Sequence, residues 1–80
     1  MNLEIITPDK KVFAGEATSV IFPGSEGEFQ VLNNHAPIVS SLGNGKLTID
    51  INGTKQVFTI DGGVVEVLNN NVLVLAEAIL

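Results

Sequence analysis

The chain contains no cysteine and no arginine, a single histidine, and no long apolar run. Without cysteine there is no disulfide, no thiolate metal site and no cysteine nucleophile, and the composition fits a reducing compartment. With no arginine and only four lysines, of which Lys10 and Lys11 alone are adjacent, there is no basic patch. Nine acidic residues leave a net charge of −5, so a nucleic-acid backbone would be repelled. A spanning helix needs about 18 apolar residues in succession, and no stretch approaches that. The opening Met1-Asn2-Leu3-Glu4 also lacks the basic and apolar regions of a signal peptide. A membrane would therefore be reached through a partner protein.

What remains is 45% apolar and 16% charged over 80 residues, ample for one core and too hydrophobic for disorder. A chain this short forms one domain, residues 1–80, and hides only roughly 60% of the surface that it exposes when unfolded. Its stability must come from dense packing.

Turn signals divide the sequence into short extended runs. Residues 3–7, LEIIT, place Leu3 and Ile5 on a core face, and Pro8-Asp9-Lys10 supplies a turn. Residues 12–13 resume the strand, Gly15 permits a bulge or a close approach, and residues 19–22 form the next, as in a β-meander. Leu47, Ile49 and Ile51 alternate with polar neighbours up to Asn52-Gly53, the strongest two-residue hairpin signal. That loop sets Ile51 opposite Thr54, Asp50 opposite Lys55 and Leu47 opposite Phe58. Gly43-Asn44-Gly45 and Asp61-Gly62-Gly63 read as further turns, and Asn69-Asn70-Asn71 as a tight one. Residues 64–68 and 72–76 are apolar at nearly every position, the pattern of strands covered on both faces by a second sheet, a partner or another segment. Glu66 and Glu77 interrupt them and are expected at edges. Helical periodicity is absent except for one possible turn at residues 76–80. The expectation is an all-β domain of eight to ten short strands, most simply a two-sheet sandwich.

The stretch PGSEGEFQVLNNHAP, residues 23–37, departs most from a generic β-domain and reads as a functional loop. Ser25, Glu28 and His35 contain the residue types of a hydrolytic triad, but there is no nucleophile elbow and no rigid seat for the serine. One histidine without cysteine cannot complete a zinc shell. Gly43-Asn44-Gly45-Lys46 lacks the spacing and the hydroxyl of a phosphate loop, and Asn52-Gly53-Thr54 is explained by its hairpin rather than by glycosylation. The remaining alternative is a free-standing binding module akin to lipoyl or biotinyl carrier domains, with Lys10 or Lys46 as the modified residue.

Taken together and in order, LEIITPDKKVFAGEA, PGSEGEF, NHAPIVSSLGNGKL and IDGGVVEVLNNNVLVLAE resemble the N-terminal domain of the epsilon subunit of bacterial F-type ATP synthases, called delta in mitochondria. The ordered set with GSEGEF and NHAP is specific and spans nearly the whole chain. The resemblance implies a β-sandwich of two roughly five-stranded sheets in the central stalk, clamped to the gamma subunit and seated on the c-ring at the cytoplasmic side of the bacterial inner membrane. It implies no catalytic group, cofactor or metal, and a mechanical role in coupling proton or sodium flow to ATP synthesis. By position it puts Ser25, Glu28 and His35 at the c-ring loops and Thr7 and Ser40 at gamma. Gln30 stands where many relatives have glycine, and Asn33-Asn34 where they have Pro-Gly or a similar pair before the histidine; asparagine also tolerates positive φ. Relatives often continue into an inhibitory, sometimes nucleotide-binding helical hairpin, whereas this sequence stops at Leu80. The expectation is thus coupling without hairpin inhibition or bound nucleotide.

Overall fold

The computed structural model describes every residue from Met1 to Leu80 and contains only strands: β1 (Asn2–Ile6), β2 (Lys11–Glu16), β3 (Ser19–Gly24), β4 (Gly27–Leu32), β5 (Ile38–Ile51), β6 (Thr54–Leu68) and β7 (Asn71–Ala76). They form one hydrogen-bonded sheet in the order β2-β1-β7-β6-β5-β3-β4. Every neighbouring pair is antiparallel except β1 and β7.

The two long strands turn this one sheet into two layers. In β5, Leu42 is buried before the Gly43-Asn44-Gly45 segment, and Leu47 and Ile49 are buried after it. β6 makes the same switch, with Ile60 buried before Gly62-Gly63 and Val65 and Val67 after. Strict alternation keeps a strand on one face, so a change from even to odd positions marks a bend. The backbone there needs glycine, with φ of 154° at Gly45, 79° at Gly62 and 148° at Gly63. The first layer comprises β2, β1, β7 and residues 63–68 and 38–42; the second comprises residues 54–60 and 46–51, β3 and β4. The dipeptide Ala17-Thr18 crosses between them, Ala17 N donating to Met1 O at 2.9 Å and Thr18 N to Asp50 O at 2.8 Å.

The sandwich expected from the sequence is therefore present, with layers of five and four strand segments folded from seven strands. Leu3, Ile5, Val65, Val67, Val72 and Val74 of the first layer join Val20, Phe22, Val31, Leu47, Ile49 and Ile60 of the second in one core cluster. Every buried residue is apolar, which lets burial stabilise the fold at roughly 25 cal/mol per Å² without stranded polar groups. The Asn52-Gly53 hairpin has the expected register, from Ile51 opposite Thr54 to Leu47 opposite Phe58.

Four local expectations change. The segments at 43–45 and 61–63 are bends within strands, because β5 and β6 stay paired through them, Asn44 opposite Asp61. β3 pairs with β4 and β5 rather than with β2, so the early strands are no meander. The bulge in the β1–β2 pair falls between Ile5 and Ile6, not at Gly15. Residues 76–80 are extended, held by a bridge between Ile60 and Ile79 and by Leu80 N donating to Thr59 O at 2.8 Å.

Candidate functional site

The β3–β4 hairpin is fixed before its tip is reached. Phe22 and Phe29 stack with centroids 5.4 Å apart, and a side chain on Gly45 would come within 3.0 Å of the Pro23 ring. The bend of β5 thus seats the hairpin. Pro23, which has no N–H to give, lies where the β3–β5 register is interrupted between Ile21 and Gly24. Ser25 N donates to Ser41 O at 3.1 Å, and Glu28 opposes Pro23. Ser25, Glu26 and Glu28 are exposed. The molecule's two ion pairs, Lys11–Glu4 and Lys55–Asp50, use neither Glu26 nor Glu28, so the tip presents two unpaired carboxylates.

His35 lies elsewhere. It follows the far end of β4, a strand of six residues that rises about 3.3 Å per residue, and so stands at the opposite end of this edge strand from Ser25 and Glu28. The three residues mark the two ends of one sheet edge; they do not form a constellation, and no hydroxyl meets an imidazole. Nor do three or more His, Asp or Glu side chains gather anywhere. His35 is half-buried, and its Nδ1 lies 2.7 Å from Ala36 O. A carbonyl only accepts, so Nδ1 carries a proton and, in the neutral ring, Nε2 is left as an acceptor.

Thr7 and Ser40 both belong to the first layer. Thr7 closes the β1–β2 turn: its N donates to Lys10 O at 2.9 Å, and its Oγ1 accepts from Asp9 N and Lys10 N, each at 3.3 Å. Ser40 opposes Val65 on β5, and its Oγ donates to Ser41 O at 3.3 Å. Both hydroxyls are thus occupied locally, and three strand spacings separate the residues. Lys10 sits in the β1–β2 turn, whereas Lys46 lies within β5.

The outer face of the first layer is a surface that neither Thr7 nor Ser40 marks directly: Thr7 follows its β1 margin, and Ser40 lies in the inner row with Val65, Val74 and Ile5. The rows of the outer face follow from the register: Ser41, Val64, Leu75 and Ile6 form one, and Val39, Glu66, Leu73 and Glu4 the next. Val39 is 72% exposed and Leu75 47%, with Val64 and Leu68 also open. Shallow hollows of about 400 and 340 Å³ flank it, one at Ile6, Pro8 and Leu75, the other at Pro37, Val39 and Leu68. The nearly continuous apolar runs at 64–68 and 72–76 were the signal: alternate residues fill the core and the others await a cover. Glu66 is in the middle of this face, paired on both sides, and not at an edge.

The family model described as "ATP synthase, Delta/Epsilon chain, beta-sandwich domain" matches residues 1–80. The chain belongs to this family. Among ATP synthase epsilon chains, that of Chlorobium limicola is 42% identical over 77 residues, covering 95% of this chain and 88% of that one. That of Pelotomaculum thermopropionicum is 45% identical over 77 residues, and there the chain spans only 58% of the relative's length. A chain from the Euglena gracilis mitochondrial ATP synthase, in a structure of OSCP, F1 and c-ring, superposes with a TM-score of 0.91 at 25% identity, covering 98% of this chain and 51% of that one. One from the central stalk and c-ring of the Tetrahymena thermophila enzyme gives 0.84 at 17% identity, over 99% and 64%, and shares the fold. The delta/epsilon sandwich is thus built here from seven strands, with an apolar outer face and an acidic edge.

Proposed function

We propose that this chain is a non-catalytic stalk subunit of an F-type ATP synthase, joining the gamma subunit to the c-ring at the cytoplasmic face of the membrane. The carrying observation is the uncovered outer face of the first layer, with Val39, Val64, Leu68 and Leu75 exposed, on a family sandwich. A face of this kind supports a permanent partner, and we assign it to gamma. Thr7 stands at its β1 margin and Ser40 on the inner side of β5 behind Val39 and Ser41, so of the two Thr7 is the more direct gamma neighbour, and Glu66 within the face calls for a cation on the partner. The β4 edge is assigned to the polar loops of the c-ring, with Ser25 and Glu28 at one end and His35 at the other. The open carboxylates suit basic groups there, giving registration more than affinity.

Coupling asks such a part for stiffness rather than chemistry. One hydrogen-bonded ladder runs from β4 through β3, β5, β6 and β7 to β1, so a force applied at the edge reaches the gamma face through the sheet. The test is reconstitution with purified gamma and c-ring. Wild type is expected to bind gamma and to be retained on the ring, and Glu28→Ala with His35→Ala to keep gamma binding while ring retention falls. A wild-type chain that binds neither partner removes the proposal.

A further inference from the structure

The chain contains two turns of the same kind with different second residues. In Asn52-Gly53 φ is 52° and 90°; in Asn69-Asn70 it is 51° and 60°. Both join adjacent antiparallel strands through two left-handed residues, Ile51 opposite Thr54 and Leu68 opposite Asn71. Glycine suits the second position because it adopts positive φ without steric cost. Asn70 forgoes that advantage, and its side chain shows why: Asn70 Oδ1 accepts from Asn34 N at 2.8 Å, across 36 residues of sequence. Its backbone carbonyl meanwhile accepts from Asn2 N at 3.0 Å. Asn34 is itself left-handed, with φ of 61°, and it directly precedes His35. One side chain in the β6–β7 turn thus holds the peptide that leads into the histidine.

We propose that Asn70 is a positioning residue for ring docking, fixing the 33–36 loop so that His35 is presented to the partner in one orientation. Positive φ at Asn34 is intrinsically unfavourable for a residue with a side chain, and the bond from its N–H to Asn70 holds the loop in that state before the partner arrives. The histidine then docks with less ordering left to do. This inference rests on the reading that His35 faces the c-ring.

Asn70→Gly is the informative variant, since glycine keeps the turn and removes only the acceptor. Three measurements decide the matter: thermal unfolding, hydrogen exchange at the Asn34 amide, and retention on purified c-ring carrying gamma. Unfolding is expected to stay as in wild type, and exchange at Asn34 to accelerate about tenfold, the factor that matches the net worth of one hydrogen bond. Retention is expected to weaken several-fold with His35 present and to show no further loss in the His35→Ala background. Unchanged exchange, unchanged retention, or equal losses in both backgrounds would each overturn the positioning role. If wild type itself fails to bind the ring, the docking assignment of His35 falls, and with it this use of Asn70.

Discussion

At the scale of single residues, Asp50 shows how a side chain fixes the register on which the second layer depends. Its Oδ2 accepts from Lys55 Nζ at 3.0 Å and its Oδ1 from Gly53 N at 2.7 Å, with Thr18 Oγ1 at 3.5 Å. The Lys55 hydrogen bond, followed by that of the Gly53 amide, holds the Asp50 carboxyl below the ordinary aspartate range. A carboxyl with a depressed folded pKa binds fewer protons when folded. Its stabilisation is therefore full above the unfolded value of about 3.9 and is lost as pH falls through the lower folded value. Asp50→Asn is expected to lower the urea midpoint at pH 7, and the gap to wild type to close as the medium is acidified below about pH 3.9. A gap that stays constant with pH would assign the effect to turn shape instead. The Asp50–Lys55 pair was legible in the sequence because a two-residue turn forces those positions together. Thr18 beside Asp50 and Asn34 on Asn70 were not, since residues 32 and 36 apart meet only once the layers are folded.

At the scale of elements, the deciding feature is whether a glycine-rich segment reverses the chain or bends it. Asn52-Gly53, Gly43-Asn44-Gly45 and Asp61-Gly62-Gly63 look alike in composition, and only the first is a hairpin turn. The other two face each other across the β5–β6 ladder, and their pairing carries both strands through the bend. Seven strands therefore form where the turn signals lead one to expect eight to ten, and the parity of the apolar residues on either side records the bend. A Cβ on Gly63 would stand 2.3 Å from the Leu75 carbonyl oxygen at a φ of 148°, whereas Gly27, with φ of 130°, has nothing within 4 Å. Gly63→Ala is expected to destabilise by about 3 kcal/mol, strain and clash together, and Gly27→Ala by about 1 kcal/mol from strain alone. Denaturant unfolding of the two variants measures both; equal losses would mean that the Leu75 carbonyl gives way and the bend is less confined than described. The same distinction explains the candidate loop at residues 23–37. Its composition suggested one site, but Gly27–Leu32 pairs as β4 and carries the two halves of the loop to opposite ends of the edge strand.

At the scale of the whole molecule, the same short strand serves the core and the outer face in alternation, so stability and docking are separable by one residue step. Val74 is fully buried, and its neighbour Leu75 is 47% exposed on the outer face between Val64 and Ile6. Val74→Ala removes packing from the centre of the first layer and is expected to cost about 2 kcal/mol of stability. Leu75→Ala removes a similar apolar group from a surface that is open in the isolated chain, so its stability is expected to stay within about 0.5 kcal/mol of wild type. Binding is expected to sort the other way. Leu75→Ala weakens association with gamma several-fold, because the group lies where a partner would desolvate it, while Val74→Ala, assayed where it remains folded, binds as wild type does. Unfolding curves and a gamma pull-down on the same two variants compare the effects directly. Were Leu75→Ala to bind gamma undiminished, the contact would have to lie away from Leu75, and the assignment of this face to gamma would fall.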